Sequence, residues 1–225
     1  MRTIAILPVK SFDAAKQRLS TRLAGGSRKA LARAMLDDVL ASLRRVEALE
    51  AIAVVTRDRT AEAAAIGSGA TVVWDHEEAG QSAAAAAGLA HALAGGFERA
   101  LLVPGDTPLL DPAELTALLS RAEAAELGAV VVPDRHGTGT NALLLRPPDA
   151  IEPSFGPGSR ERHEEAARAA GLTWEVDPLP SLLVDVDTPE DLTEVALLVE
   201  ERHGLGAQTQ GALRQLDRSQ ARVSA

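Results

Sequence analysis

Apolar and polar positions fall into two kinds of block along the chain. Short β-rich apolar runs appear at Thr3–Val9, Ala51–Val55, Thr71–Trp74, Ala100–Val103, Ala129–Val132, Ala142–Leu145, Thr173–Val176 and Leu182–Val184. Runs such as IAILPV and ALLVP are apolar almost without a break, as in strands covered on both faces. Between most of them apolar residues recur at helical spacing. Within Ser27–Leu49, Leu31, Met35, Val39, Leu43 and Val46 stand three or four apart and make one stripe. Asp111-Pro112-Ala113-Glu114 opens a helix, with Asp as N-cap, Pro at the first position and an acid in the first turn. Thr188-Pro189-Glu190-Asp191 repeats that grammar. Strands alternating with helices predict an α/β fold, a single-domain three-layer αβα sandwich on a mostly parallel sheet.

Three segments depart from the alternation. Asp134–Gly158 is rich in Gly and Pro around one short strand, and reads as an insertion over the sheet edge where a substrate loop could sit. Ala83–Ala87 is a run of alanine, as in a tightly packed helix. Residues 206–225 are read as lacking core periodicity, which predicts a folded domain over 1–205 and a frayed, flexible tail over 206–225.

Composition narrows the function. The 225 residues contain no cysteine, which excludes disulfides, thiolate metal sites and a cysteine nucleophile. The first apolar run is too short for a secretory signal, and no stretch approaches the roughly 18 apolar residues of a membrane helix. A cytoplasmic protein with no membrane partner is expected. A net charge of −9 argues against nucleic acid, because no excess of cations is present to release counterions. Residues 1–33 nevertheless carry eight Lys/Arg against one acid, Asp13, and hold all three lysines of the chain: Lys10, Lys16 and Lys29. A local cationic patch on an acidic body suits a small anion such as a nucleoside triphosphate.

Four motifs carry candidate chemistry. The loop PVKSFDAAKQRL leaves the first strand, where doubly wound sheets bind ligands. It has neither a GxxxxGK[ST] nor a glycine-rich dinucleotide pattern, so lysine side chains would have to help neutralise phosphate. In LLVPGDTPLL a strand runs straight into Asp106, and a hard carboxylate there suits Mg²⁺. In LLVDVDTPEDL, Asp185 and Asp187 point to one side of an extended segment. They could hold a cation together with Asp106, while Asp187 or Thr188 caps the following helix. Gly137-Thr138-Gly139-Thr140-Asn141 and Phe155-Gly156-Pro157-Gly158-Ser159-Arg160 precede a helical pattern over Arg160–Ala170. Free amides at that helix start would suit phosphate or carboxylate, with Ser159 capping the helix. The five histidines, His76, His91, His136, His163 and His203, show no metal-ligand spacing. Asp134 and Asp177 read as solvated turns.

Taken in order, PVK…K.RL, PGDTPLL, GTGTN, FGPGS and DVDTPEDL resemble the guanylyltransferases of coenzyme F420 biosynthesis, which act on 2-phospho-L-lactate or phosphoenolpyruvate. The resemblance spans about residues 3–200 and implies the GT-A-like nucleotidyltransferase fold. It implies transfer of GMP from GTP to a small phosphorylated carboxylic acid with release of pyrophosphate. It further implies that Asp106, Asp185 and Asp187 serve Mg²⁺, with Asp106, Lys10 and Lys16 catalytic. Lys10, Lys16 and Arg18 would hold the triphosphate, Gly80 and Gln81 would belong to the nucleotide site, and Thr140, Gly156 and Ser159 would contact the acid. A homodimer is allowed. One departure is Gly80-Gln81-Ser82, where the family often has Gly-Leu-Asn; the tripeptide resembles the molybdenum-cofactor branch of the superfamily. The alternatives are therefore a molybdenum-cofactor or sugar-phosphate nucleotidyltransferase of the same fold, or a non-catalytic nucleotide-binding regulator.

Overall fold

The computed structural model describes residues 1–12, 16–76, 79–202 and 204–223. Its sheet has seven strands: β1 Thr3–Pro8, β2 Ala51–Thr56, β3 Thr71–Trp74, β4 Arg99–Leu102, β5 Ala129–Pro133, β6 Thr140–Leu145 and β7 Trp174–Val176, in the order β3-β2-β1-β4-β6-β5-β7. Pairing is parallel except that β6 runs antiparallel between β4 and β5. The helices are α1 Gly25–Leu43, α2 Arg59–Ser68, α3 Gln81–Ala94, α4 Pro112–Ala124, α5 Ser159–Ala169, α6 Pro189–Glu201 and α7 Ala207–Val223.

Period-two alternation divides the strands between two cores. Ala5, Leu7, Val54, Leu101, Val130 and Leu144 face the layer built by α1, α2, α4 and α6. Ile4, Ile6, Val55, Leu102, Val131 and Leu143 face α3 and α5. This is the three-layer sandwich that the sequence pattern predicts. The predicted stripe on α1 is buried throughout, from Leu31 to Leu43. The alanine-rich helix sits hard against the sheet: a Cβ at Gly88 would lie 2.3 Å from Ile6 Cγ2. Both predicted helix starts are present. Asp111 accepts from Ala113 N, and Thr188 and Asp191 form a reciprocal capping box. Among the described residues no helix is long and apolar enough to cross a membrane.

Three expectations are overturned. Leu182–Val184 forms no strand; a 3₁₀ turn spans Pro180–Leu182, opened by a proline that has no N–H for a ladder. The Leu182 and Leu183 carbonyls instead accept from Asn141 Nδ2 at 2.6 Å and Arg135 N at 3.2 Å. The Gly/Pro-rich segment is not an insertion over the sheet edge, because β6 within it fills the sheet between two other strands. Residues 207–223 are helical, where the sequence pattern predicts a frayed tail. Ala212, Leu213 and Leu216 pack on the core at helical spacing, and the Asp38 carboxylate accepts from Gln208 N at 2.9 Å and Thr209 N at 2.7 Å. The stripe is short and amid glutamines, so it is easily passed over in the sequence.

Candidate active site

The chain runs out from β1 to β2 and β3, then returns to β4 on the other side of β1. The crevice at the carboxyl ends of β1 and β4 is therefore a topological switch point, where open α/β sheets bind ligands. Three segments converge on it.

From β1, Val9 N donates to Val55 O at 2.9 Å and the chain turns out through Lys10. Asp58, the N-cap of α2, accepts from Phe12 N at 2.8 Å and fixes this loop. Asp13, Ala14 and Ala15 of the first motif lie outside the described residues. Lys16 resumes the chain in the left-handed region (φ 54°) and opens the 3₁₀ turn Gln17–Thr21, which is anchored by fully buried Leu19. From β4, Val103 N donates to Ile6 O at 2.9 Å and the chain enters Pro104-Gly105-Asp106. A Cβ at Gly105 would stand 3.3 Å from Leu36 and from Val9, so a small residue suits this turn. The third segment is Val184–Asp187, tied to the second by Val186 N donating to Asp106 O at 3.3 Å. Val184 and Val186 point into the core, which turns Asp185 and Asp187 toward the crevice. Asp191 holds the end of the strip by accepting from Asp187 N and Thr188 N, while Arg135 pairs with its other oxygen.

Asp106, Asp185 and Asp187 each offer a carboxylate oxygen within 4.8 Å of the others. The Lys16 ammonium pairs with Asp106 and, at 3.0 Å, with Asp187. Burial alone would lower the Lys16 pKa, but the two carboxylates push it up to about 12. Burial raises Asp185, and the neighbouring carboxylates of Asp106 and Asp187 raise it further. Burial acts in the same sense on Asp187, but Lys16, with Arg18 and Lys10 behind it, holds that acid below its usual range. One ammonium facing three carboxylates leaves an excess of negative charge, which a divalent cation would relieve.

The opposite wall comes from β6 and α5. Because β6 is antiparallel to β4, its first residue, Thr140, lies at the same edge as Asp106. Thr140 Oγ1 meets His163 Nδ1 at 3.0 Å, and His163 Nε2 accepts from Ser154 N at 2.8 Å. Ser159 begins α5, and its buried hydroxyl has no partner among the described residues. It does not cap the helix, as the sequence pattern suggests; Gly158, in the left-handed region, occupies the N-cap. Nor are all the helix-start amides free, since Ser159 N donates to Gly156 O and Arg160 N to Thr138 O. The hydroxyls of Thr140 and Ser159 stand on this wall with Asp134, Thr138 and Asn141. Gly156 has φ 107°, which favours glycine.

A cavity of about 670 Å³ joins the two walls. Lys10, Lys16, Arg18, Gln81, Asp106, Thr140, Gly156, Ser159, Asp185 and Asp187 all line it. Gly80 does not; it opens α3 at φ 105° behind Gln81. Ser82 Oγ accepts from Phe155 N at 2.9 Å and joins the α3 start to the loop before α5. Asp134 also lines the cavity, and Asp177 pairs with Arg121. His203 lies outside the described residues. Sequence reasoning passed over three positioning residues: Asp58, Asn141 and His163. Asp58 precedes a helix as an N-cap and Asn141 belongs to a motif, so each left a local signal. His163 left none.

The fold and the site at its switch point define an α/β protein of the nucleotidyltransferase class. A nucleotidyl transferase from Methanothermobacter thermautotrophicus superposes with a TM-score of 0.63 at 17% identity, over 86% of this chain and 95% of that one. A Mycobacterium tuberculosis protein solved in complex with manganese gives 0.55 at 17% identity, over 87% and 98%. Within the class, the chain belongs to the family described as Guanylyl transferase CofC like, which matches residues 3–222, α7 included. It is 49% identical to the phosphoenolpyruvate guanylyltransferase of Conexibacter woesei over 97% of this chain and 98% of that protein. It is 35% identical to the 2-phospho-L-lactate guanylyltransferase of Methanothermobacter thermautotrophicus over 96% and 92%.

Proposed function

We propose that the chain transfers GMP from GTP to phosphoenolpyruvate, with 2-phospho-L-lactate as the alternative acceptor, in the formation of coenzyme F420. The carrying observation is one cavity with three chemically distinct parts: cations at Lys10, Lys16 and Arg18, three clustered carboxylates, and the Thr140 and Ser159 hydroxyls opposite. The relative 49% identical over nearly the whole length supports phosphoenolpyruvate as the acceptor.

A phosphate oxygen of the acceptor attacks the α-phosphorus of GTP; that P–O bond forms as the bond to the β-phosphate bridge breaks, and pyrophosphate leaves. The attacking oxygen is already anionic at neutral pH, so the site needs no strong base. Thr140, Ser159 and the backbone at Gly156 orient the acceptor. Lys10, Lys16 and Arg18 offset charge on the triphosphate and on the leaving pyrophosphate, with Gln81 on the nucleotide side. The rate then comes from positioning and charge neutralisation. The carboxylate set fits a hard divalent ion: Asp106, Asp185 and Asp187 would hold Mg²⁺, which supplies Lewis-acid stabilisation of phosphoryl charge.

The test is pyrophosphate release with Mg²⁺, crossing GTP, CTP, UTP and ATP with phosphoenolpyruvate, 2-phospho-L-lactate and 3-phosphoglycerate. GTP with phosphoenolpyruvate should be turned over best. Preference for CTP with none of these acids would move the chain to another branch of the fold. No release with any pair would make it a nucleotide-binding regulator.

A further inference from the structure

His163 is fully buried, touches no part of the carboxylate cluster, and has both ring nitrogens engaged. Ser154 N–H can only donate, so Nε2 at 2.8 Å from it must carry the lone pair. A ring accepting at both nitrogens would be an imidazolate, so the neutral ring carries its proton on Nδ1. That proton is donated to Thr140 Oγ1 at 3.0 Å. The assignment follows from the network of donors and acceptors.

The surroundings favour a ring that is neutral near pH 7. Burial, then the nearby Arg162 guanidinium, lower the His163 pKa to about 4. Arg162 donates to Ser154 Oγ at 2.8 Å and to Pro157 O at 2.6 Å, which sets the loop that presents Ser154 N. Phe155 meets the imidazole edge-on, with centroids 5.3 Å apart.

Thr140 is nine-tenths buried, lines the cavity, and has no other side-chain partner among the described residues. Its hydroxyl oxygen accepts a hydrogen bond from His163 Nδ1–H, so its own proton cannot point back at the ring. We infer that His163 is a positioning residue that turns the Thr140 hydroxyl proton away from the ring and into the cavity as a donor, favouring an anionic acceptor oxygen such as one of a phosphate or carboxylate. The inference rests on Thr140 being an acceptor contact. Ser159, which lines the same cavity and whose buried hydroxyl has no partner among the described residues, has no such lock.

The test pairs variants that separate the two ring bonds. His163→Gln keeps an acceptor for Ser154 N but offers no donor to Thr140; His163→Asn keeps the donor at the Nδ1 position. For the Gln variant the KM for phosphoenolpyruvate should rise roughly fivefold or more, with the KM for GTP unchanged; the Asn variant should stay closer to wild type. In a Thr140→Val background, His163→Gln should add less than about twofold, since the group it acts through is gone. Unchanged acceptor KM in His163→Gln, or effects that multiply in the double variant, overturn the inference while leaving Thr140 as an acceptor contact. No acceptor effect from Thr140→Val alone defeats the acceptor-site assignment itself, and the role of His163 with it. Should the variants unfold, ¹⁵N shifts of the wild-type imidazoles decide. One ring, non-titrating near neutral pH, should be protonated on Nδ1; a proton on its Nε2 overturns the inference.

Discussion

At Asp106 the carboxylate serves two cations in turn: the Lys16 ammonium that pairs with it, and the Mg²⁺ proposed for turnover. Asp106→Asn leaves the backbone tie to Val186 in place, so the fold should survive. Loss of one anionic ligand should lower pyrophosphate release at saturating Mg²⁺ by about 100-fold or more, because metal stabilisation contributes several kcal/mol. A variant keeping a tenth of the wild-type rate would remove Asp106 from the metal site. Ser159 belongs to the other wall. Ser159→Ala should raise the KM for the acid about tenfold, as a hydrogen bond to a charged group contributes about 1.5–3 kcal/mol, and leave GTP binding unchanged. Weaker GTP binding with the acid unaffected would mean that the two substrate walls are interchanged. His163 gives a pH signature. Its folded pKa of about 4 lies below the ordinary 6.5, so between these values the unfolded chain binds more protons. Stability from the neutral ring is therefore complete above about pH 6.5 and is lost as pH falls toward 4. Between pH 7 and 5 the wild type should lose on the order of 2 kcal/mol more than His163→Gln in denaturant unfolding. Parallel pH profiles would show a ring that titrates normally.

At the scale of elements, helix α7 is where the sequence was least legible. Its apolar positions are few, and its N-terminal capping comes from Asp38, about 170 residues earlier, which no local pattern can announce. By contrast α4 and α6 carry their caps in adjacent residues, Asp111 and Thr188, and both are read correctly. Removal of residues 206–225 should destabilise the protein by about 2–4 kcal/mol, from lost cover over the α1 face and two lost bonds to Asp38. Thermal melting measures this; an unchanged Tm would return the segment to a dispensable tail. Activity of the folded fraction should be nearly unchanged, because α7 lines no part of the catalytic cavity.

For the molecule as a whole, the carboxylates were legible because strand ends and period-two alternation are local rules. The wall opposite them was only half legible. GTGTN marked a loop, but its place in the middle of the sheet depends on β6 pairing antiparallel with both β4 and β5, a choice made by topology. Asn141 shows the cost of that choice: its amide ties β6 to the Leu182 carbonyl, and so to the strip that carries Asp185 and Asp187. Asn141→Ala should raise the Mg²⁺ concentration needed for half-maximal rate severalfold and lower kcat about tenfold, with little loss of Tm. A normal Mg²⁺ titration would show that the strip holds its place without this tie.

The same tie bears on the order in which the protein is assembled. The first three strands pair with near neighbours in the chain, and such contacts close early. Lys16 and Asp187 are 171 residues apart, so the cluster of charges is finished only after β6 and the strip beyond it have docked. During synthesis, Lys16 waits beside a half-built pocket until the last two carboxylates, Asp185 and Asp187, arrive. A ribosome-bound chain halted before Asp185 would present its cations with Asp106 alone of the three acids, and could hold phosphate without the means to transfer it.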